Sequence, residues 1–257
     1  MSNTDRVDKN LFSDDHYLGK PADDLDKIIT RRIAILESFP DFFGKDLTCV
    51  EIGCGTGTTI NRLAGKFRAV LGVDIYDYAE AFNEQKKKMQ ASNSRFLQAD
   101  LEKEELQETF NRLISFEVIE HLQSEDSVSR YASVLSDGGL AAITVPNKWW
   151  IFETHGARLP LLPWNRVPFF SWLPRRLHER FANARIYTLK RIIKLMEKHG
   201  FTILSHCYVS APMDVLKEGW LKRKLVKYVF RGDSTRVPFL STSIFIMAKK
   251  NDSLNDG

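Results

Sequence analysis

Cysteine is scarce in this chain. Its 257 residues hold three, Cys49, Cys54 and Cys207, with neither a C-x-x-C pair nor an even set. That excludes a disulfide framework and leads us to expect a reduced, cytoplasmic protein. No stretch approaches the ~18 consecutive apolar residues of a membrane span. The opening residues, MSNTDRVDKNLFSDD, carry no apolar signal core. A dominant charge sign is lacking too. Lys and Arg number 37 against 33 Asp and Glu, a net charge of +4, too mild to require nucleic acid. No internal repeat is visible.

Ordered alternation is what the chain does contain. DLDKIITRRIAILESF (24–39) places Ile28, Ile29, Ile33, Leu36 and Phe39 at helical spacing. Strands are then expected at 47–52, 67–75, 94–100, 111–118, 137–146, 201–210 and 241–250. Helices are expected near 58–66, 77–90, 124–136 and 189–200, the last closed by Gly200. This alternation predicts an α/β fold, a Rossmann-like doubly wound and largely parallel sheet. One domain over 24–250 is expected, with a flexible segment at 1–23 and a disordered tail at 251–257.

The first strand runs into Glu51-Ile-Gly53-Cys54-Gly55-Thr-Gly57. Glycines there let backbone approach a ligand, and the helix that follows offers free N–H groups. The spacing is G-x-G-x-G, not the G-x-G-x-x-G of common dinucleotide sites, and no Gly-Lys-Ser/Thr follows to make a P-loop. Asp74 ends the second strand, where a carboxylate can accept both hydroxyls of a ribose. Asp100 ends the third in QADL, placed to bond an adenine amino group while Leu101 packs on the ring. Such acids also occur as plain helix caps. Acids at successive strand ends behind one glycine loop favour a nucleoside site.

The succession EIGCGTG, VDI, QADL, FEVIEHL and LSDGGLAAITVPN resembles the class I S-adenosylmethionine-dependent methyltransferases, and most of all the small-molecule branch that includes ubiquinone-biosynthesis O-methyltransferases. The likeness covers 47–147 and, more loosely, 188–250. It implies a seven-stranded sheet with an antiparallel last strand, and S-adenosyl-L-methionine lying across the strand ends. It also implies that Glu51, Gly53, Gly55 and Gly57 frame the methionine, that Asp74 holds the ribose, that Asp100 and Leu101 hold the adenine, that Cys54 and Ile75 belong to the same cofactor site, and that Glu117 lies by the sulfonium. Methyl transfer then asks the protein to align a nucleophile and remove its proton.

LISFEVIEHL (113–122) carries Glu117-x-x-Glu120-His121. A similar run plus a downstream histidine holds a metal in small-RNA 3′-end 2′-O-methyltransferases. Here His155 follows strand five, so Glu117, Glu120, His121 and His155 form a candidate, though not favoured, divalent-metal set. Many relatives in the resembled branch carry the run without metal. His121 and His155 are the candidate catalytic residues, an imidazole of ordinary pKa being suited to take a hydroxyl proton.

Insertions are expected after strands five and six. Residues 147–187 hold Trp149, Trp150, Trp164 and Trp172, with five arginines and four prolines between 158 and 180. Residues 211–239 contain EGWLKRKLVKYVF, read as an amphipathic helix with Trp220, Leu221, Leu225, Tyr228 and Val229 opposite Lys222, Arg223, Lys224 and Lys227. Both insertions suggest a small or lipid-linked hydroxylated acceptor and peripheral membrane contact through 147–187 and 214–230. RNA as acceptor, or a partner subunit that binds the cofactor without catalysis, are the competing readings. Oligomeric state leaves no trace in the sequence.

Overall fold

A computed structural model describes residues 26–157, 167–213 and 219–252, with the Leu221 side chain excepted. Segment 1–23, Trp164 and most of the 251–257 tail lie outside the described residues. Helix α1 (Lys27–Glu37) precedes β1 (Gly44–Ile52), α2 (Thr58–Leu63), β2 (Phe67–Asp74), α3 (Ala79–Lys88) and β3 (Ser94–Gln98). Then come β4 (Phe110–Phe116), α4 (Ser129–Ser133), β5 (Leu135–Pro146), α5 (Arg175–Phe181), α6 (Leu189–Lys198) and β6 (Phe201–Ser210). Helix α7 (Trp220–Tyr228), β7 (Ser234–Thr235) and β8 (Ser241–Lys250) complete the order.

The strands form one sheet in the order β3-β2-β1-β4-β5-β8-β6-β7. Pairs from β3 to β5 are parallel. Strand β8 runs antiparallel between β5 and β6, as expected of the last strand. Among the described residues, eight strands stand where seven were expected. The extra one is β7, two residues pairing with Tyr208 and Val209 at the sheet edge, inside the insertion after β6.

Central strands are apolar on both faces because helices cover both. On one face Ile29, Ile33 and Leu36 of α1 join Ile60 and Phe82 over Cys49, Val70 and Phe245. On the other, Tyr131, Ile192, Leu195 and Met196 cover Val50, Leu71, Leu113, Ile143 and Ile246. The sheet is thus filled from both sides, and the loops at its carboxyl edge are left to build a site.

Local chemistry explains three departures from expectation. The helix foreseen over 124–136 shortens to a 3-10 turn, Glu125–Val128, and the five-residue α4. Ser129 and Ser133 turn their hydroxyls back onto the Asp126 and Arg130 carbonyls, the competition with helix bonding that serine brings. Strand β4 stops at Phe116 because Glu117 adopts a left-handed backbone, φ 59°. Helix α7 does not present the expected faces. Lys222 is buried, while Trp220 and Tyr228 stand exposed.

Candidate active site

A cavity of about 700 Å³ opens where the sheet order reverses between β1 and β4, at the carboxyl ends of the strands. Open α/β sheets place ligands at this point. Gly53 and Gly57 both have left-handed backbones, φ 71° and 77°. A Cβ on Gly53 would lie 2.3 Å from Val118 Cγ2, and one on Gly57 2.3 Å from the Phe82 ring. Both glycines are therefore demanded by how the loop packs. Cys54 is buried, with its thiol pushed well up from the ordinary range by burial and the Glu51 charge.

Glu51 leaves the end of β1 and accepts the Ile60 N–H of α2 at 3.0 Å, satisfying a donor that the helix start leaves free. Burial pushes its carboxyl up to about 8. Asp74 binds the loop from the next strand. Its Oδ2 accepts the Gly55 N–H at 2.8 Å and its Oδ1 the Tyr76 N–H at 3.1 Å. Burial raises its pKa against those bonds. Beside it Ile75 is 47% exposed, an apolar surface on the cavity wall. Asp100 accepts from Glu102 N–H and from Lys103 Nζ at 2.6 Å, and Leu101 is buried next to it. All five line the one cavity.

The Glu117-x-x-Glu120-His121 motif folds around a 3-10 turn, Ile119–His121. Its left-handed start aims Glu117 at α1, where Arg32 Nη2 meets Oε1 at 3.0 Å. Glu120 is buried and accepts no hydrogen bond at either oxygen among the described residues. Its nearest charge is His155, whose Nε2 lies 3.3 Å from Glu120 Oε1 and 3.5 Å from Glu117 Oε2. The other His155 nitrogen, Nδ1, lies 2.9 Å from Thr154 Oγ1. His121 packs on His155 with ring centroids 5.3 Å apart. The structure thus gathers Glu117, Glu120, His121 and His155 from two strand ends.

Neither imidazole keeps an ordinary value. Burial, then the His155 and Arg185 charges, push His121 down to about 3. Burial alone would lower His155, but the Glu120, Glu117 and Glu153 carboxylates outweigh it and raise the pKa. Glu120 moves up through burial and the Glu117 charge. The pattern is a cationic His155 between carboxylates beside a neutral His121.

Residues 24–206, well over half of the chain, match the family described as a methyltransferase domain. The chain belongs to the methyltransferase-domain family. No curated protein matches the sequence of this methyltransferase. Its fold is similar to a Listeria monocytogenes protein assigned as an S-adenosylmethionine dependent methyltransferase, at 19% identity and TM-score 0.59, covering 87% of this chain and 98% of that one. It is also similar to the magnesium protoporphyrin IX methyltransferase of Synechocystis PCC 6803 with bound SAH, at 18% identity and TM-score 0.53, covering 87% and 81%. A third neighbour is coclaurine N-methyltransferase bound to N-methylheliamine and SAH, at 15% identity and TM-score 0.54, covering 85% and 72%. At these identities the likeness is one of fold.

Several residues of the methyltransferase site escaped sequence reasoning. Arg32 was overlooked although it sits among Ile29, Ile33 and Leu36, where a buried cation is the anomaly that could have exposed it. Glu153 is buried and accepts the Thr154 and His155 N–H groups at 3.0 and 3.1 Å. His178 of α5 closes on it at 2.6 Å, so the insertion after β5 buttresses the turn that carries His155. Glu102 accepts the Gln123 N–H and the Ser127 hydroxyl, fixing the loop after His121. No spacing in the sequence announces these last contacts.

The metal candidate fits in part. Glu120, His121 and His155 offer ligand atoms within 4.8 Å of one another. Glu117 falls outside that group, its charge matched by Arg32. One carboxylate with two imidazoles is a donor set for Zn²⁺ sooner than for oxygen-seeking Mg²⁺.

Proposed function

We propose that this methyltransferase binds S-adenosylmethionine in the cavity at β1, β2 and β4 and methylates a hydroxyl oxygen of a small-molecule or lipid-linked acceptor. The observation that carries the reading is His121. It lines the cavity, and neither ring nitrogen has a hydrogen bond among the described residues. His155, by contrast, has both nitrogens engaged by Glu120, Glu117 and Thr154.

S-adenosylmethionine, when bound, supplies a methyl group already activated on a sulfonium. The chain's own work is to hold both reactants, exclude water and move one proton. Glu51 and the glycine loop would hold the methionine end. Asp74 keeps lone pairs beyond those used by Gly55 and Tyr76, so it can still accept ribose hydroxyls. Asp100 and Leu101 would flank the adenine, Ile75 would add apolar wall beside Asp74, and Glu117 would lie beside the sulfonium.

On the acceptor side, Ile28, Ile29, Phe116 and Leu122 give the cavity an apolar wall that suits a hydrophobic acceptor body. His121 takes the hydroxyl proton onto a free ring nitrogen. A weak base suffices, because an oxygen becomes strongly acidic as it is alkylated. Burial, aided by the His155 charge, keeps His121 unprotonated beforehand, and the His155 ring packs against it. Resemblance to small-molecule O-methyltransferases supports oxygen as the nucleophile.

The test is transfer of labelled methyl from S-adenosylmethionine into fractionated extracts. Label should enter hydroxylated small molecules or lipids with the native protein. His121→Ala should lower transfer by about a hundredfold while S-adenosylhomocysteine affinity stays within about threefold. Label appearing in RNA, or binding without transfer into any fraction, would contradict the reading.

A further inference from the structure

Helix α7 meets the domain with one face only. Leu225 and Val226 pack on a small cluster built by Trp150, Ala211, Met213 and Phe230. Lys222 is buried on the same side. The other face is exposed and unusual in composition. Trp220 is 65% and Tyr228 67% exposed. Lys224 Nζ sits 5.2 Å over the Trp220 ring, and Lys227 Nζ 5.3 Å over that of Tyr228. From Gly219 to Arg231 the sequence has Lys222, Arg223, Lys224, Lys227 and Arg231 and no carboxylate.

A second exposed patch is carried by segments that pack on the same cluster. The Trp172 and Phe239 rings meet at a tilt, 5.5 Å apart, and Trp149 packs edgewise on both. Phe169 joins Trp172 at 4.7 Å, and its N–H donates to Ile151, a member of that cluster. Phe169 and Phe239 are each about half exposed. Arg236 is exposed three residues before Phe239.

We propose that α7, with this neighbouring aromatic patch, docks on the surface of an anionic lipid bilayer. Cations without carboxylates seek anionic headgroups, and Trp and Tyr are the side chains that settle at the boundary between headgroup and acyl chain. Lysines over the ring faces occupy the positions that nucleic-acid bases need for stacking. The ring edges remain free to enter an apolar layer. This inference stands apart from the methyl-transfer reading, since none of its residues lines the cavity.

The experiment is flotation of the full chain with phosphatidylcholine vesicles, with and without phosphatidylglycerol. Binding is expected only to the anionic vesicles, falling as salt rises. The charge reversals Lys224→Glu and Lys227→Glu together should weaken it at least about tenfold. Trp220→Ala with Tyr228→Ala should weaken binding at fixed salt. All four side chains are exposed, so thermal midpoint and S-adenosylhomocysteine affinity should match the native protein in every variant. Failure to float with anionic vesicles, flotation untouched by both pairs of substitutions, or capture by a single-stranded oligonucleotide in place of vesicles would overturn the proposal.

Discussion

Arg32 of α1 and Glu117 at the end of β4 form an ion pair of 3.0 Å inside the cavity wall. The first helix therefore closes one side of the site and supplies the countercharge to the motif that begins at Glu117. Arg32 also donates to Ser243 Oγ at 3.2 Å. The helix, the motif and β8 are joined at one guanidinium.

Removing one partner of a buried pair leaves a charge without compensation. Arg32→Ala is expected to destabilise the fold by about 3 kcal/mol, and Arg32→Ala with Glu117→Gln by clearly less. Denaturant unfolding of the four proteins of this cycle checks it. Additive losses would show that the two side chains are not coupled.

Glu153 and His178 carry the same logic into the insertion. Burial alone would raise the Glu153 carboxyl, but the hydrogen bond from His178 and the charge of His155 lower it. A depressed carboxyl stabilises the fold above its unfolded pKa, and that stability is lost as pH falls through the folded value. His178→Ala should cost about 3 kcal/mol at neutral pH and progressively less in acid. Because Glu153 also fixes the His155 backbone, turnover should fall in folded His178→Asn while S-adenosylhomocysteine affinity stays unchanged. Loss of both in parallel would make the pair merely structural.

Glu51 gives the opposite pH dependence. Its carboxyl is raised from 4.5 to about 8 by burial, so the folded protein holds a proton that the unfolded chain releases. Stability from that group is complete below pH 4.5 and drains away as pH climbs to about 8. Glu51→Gln keeps an oxygen for the Ile60 N–H and cannot ionise. The ligand-free variant should overtake the native protein in melting temperature as pH rises across that window, by up to roughly 3–5 kcal/mol in stability. Parallel melting curves from pH 5 to 9 would contradict it.

Chelation separates the two readings of Glu117-x-x-Glu120-His121. Arg32 already matches Glu117, and His155 has partners on both nitrogens. Methyl transfer is accordingly expected to survive exhaustive chelation. Loss of activity that returns with added Zn²⁺ or Mn²⁺ would instead make Glu120, His121 and His155 a metal centre.

Much of the frame was legible because parallel strands buried on both faces print continuous apolar runs. Strands β6 and β8 fall where periodicity puts them, and Gly200 closes α6 with a left-handed backbone, φ 82°. The cavity wall was legible as well, since Glu51 and Asp74 lie at the ends of their strands and Asp100 follows β3 by two residues. Contacts that depend on distant segments meeting were not. The Arg32–Glu117 pair joins residues on separate elements, and His178 reaches Glu153 from an insertion without sheet periodicity. Helix α7 was misread because the apolar pattern set Trp220 and Tyr228 on the side of Leu225, opposite the lysines. In the fold they are amphipathic rings that carry lysines outward.

The central claim is that the cavity lined by Glu51, Asp74 and Asp100 is an S-adenosylmethionine site. Calorimetric titration of the purified chain with S-adenosylmethionine tests it most directly. The account predicts saturable binding at one site per chain, weakened by about ten- to a hundredfold in Asp74→Ala as hydrogen bonds to a charged acceptor are lost. No saturable heat with the native chain, or equal affinity in Asp74→Ala, would contradict it.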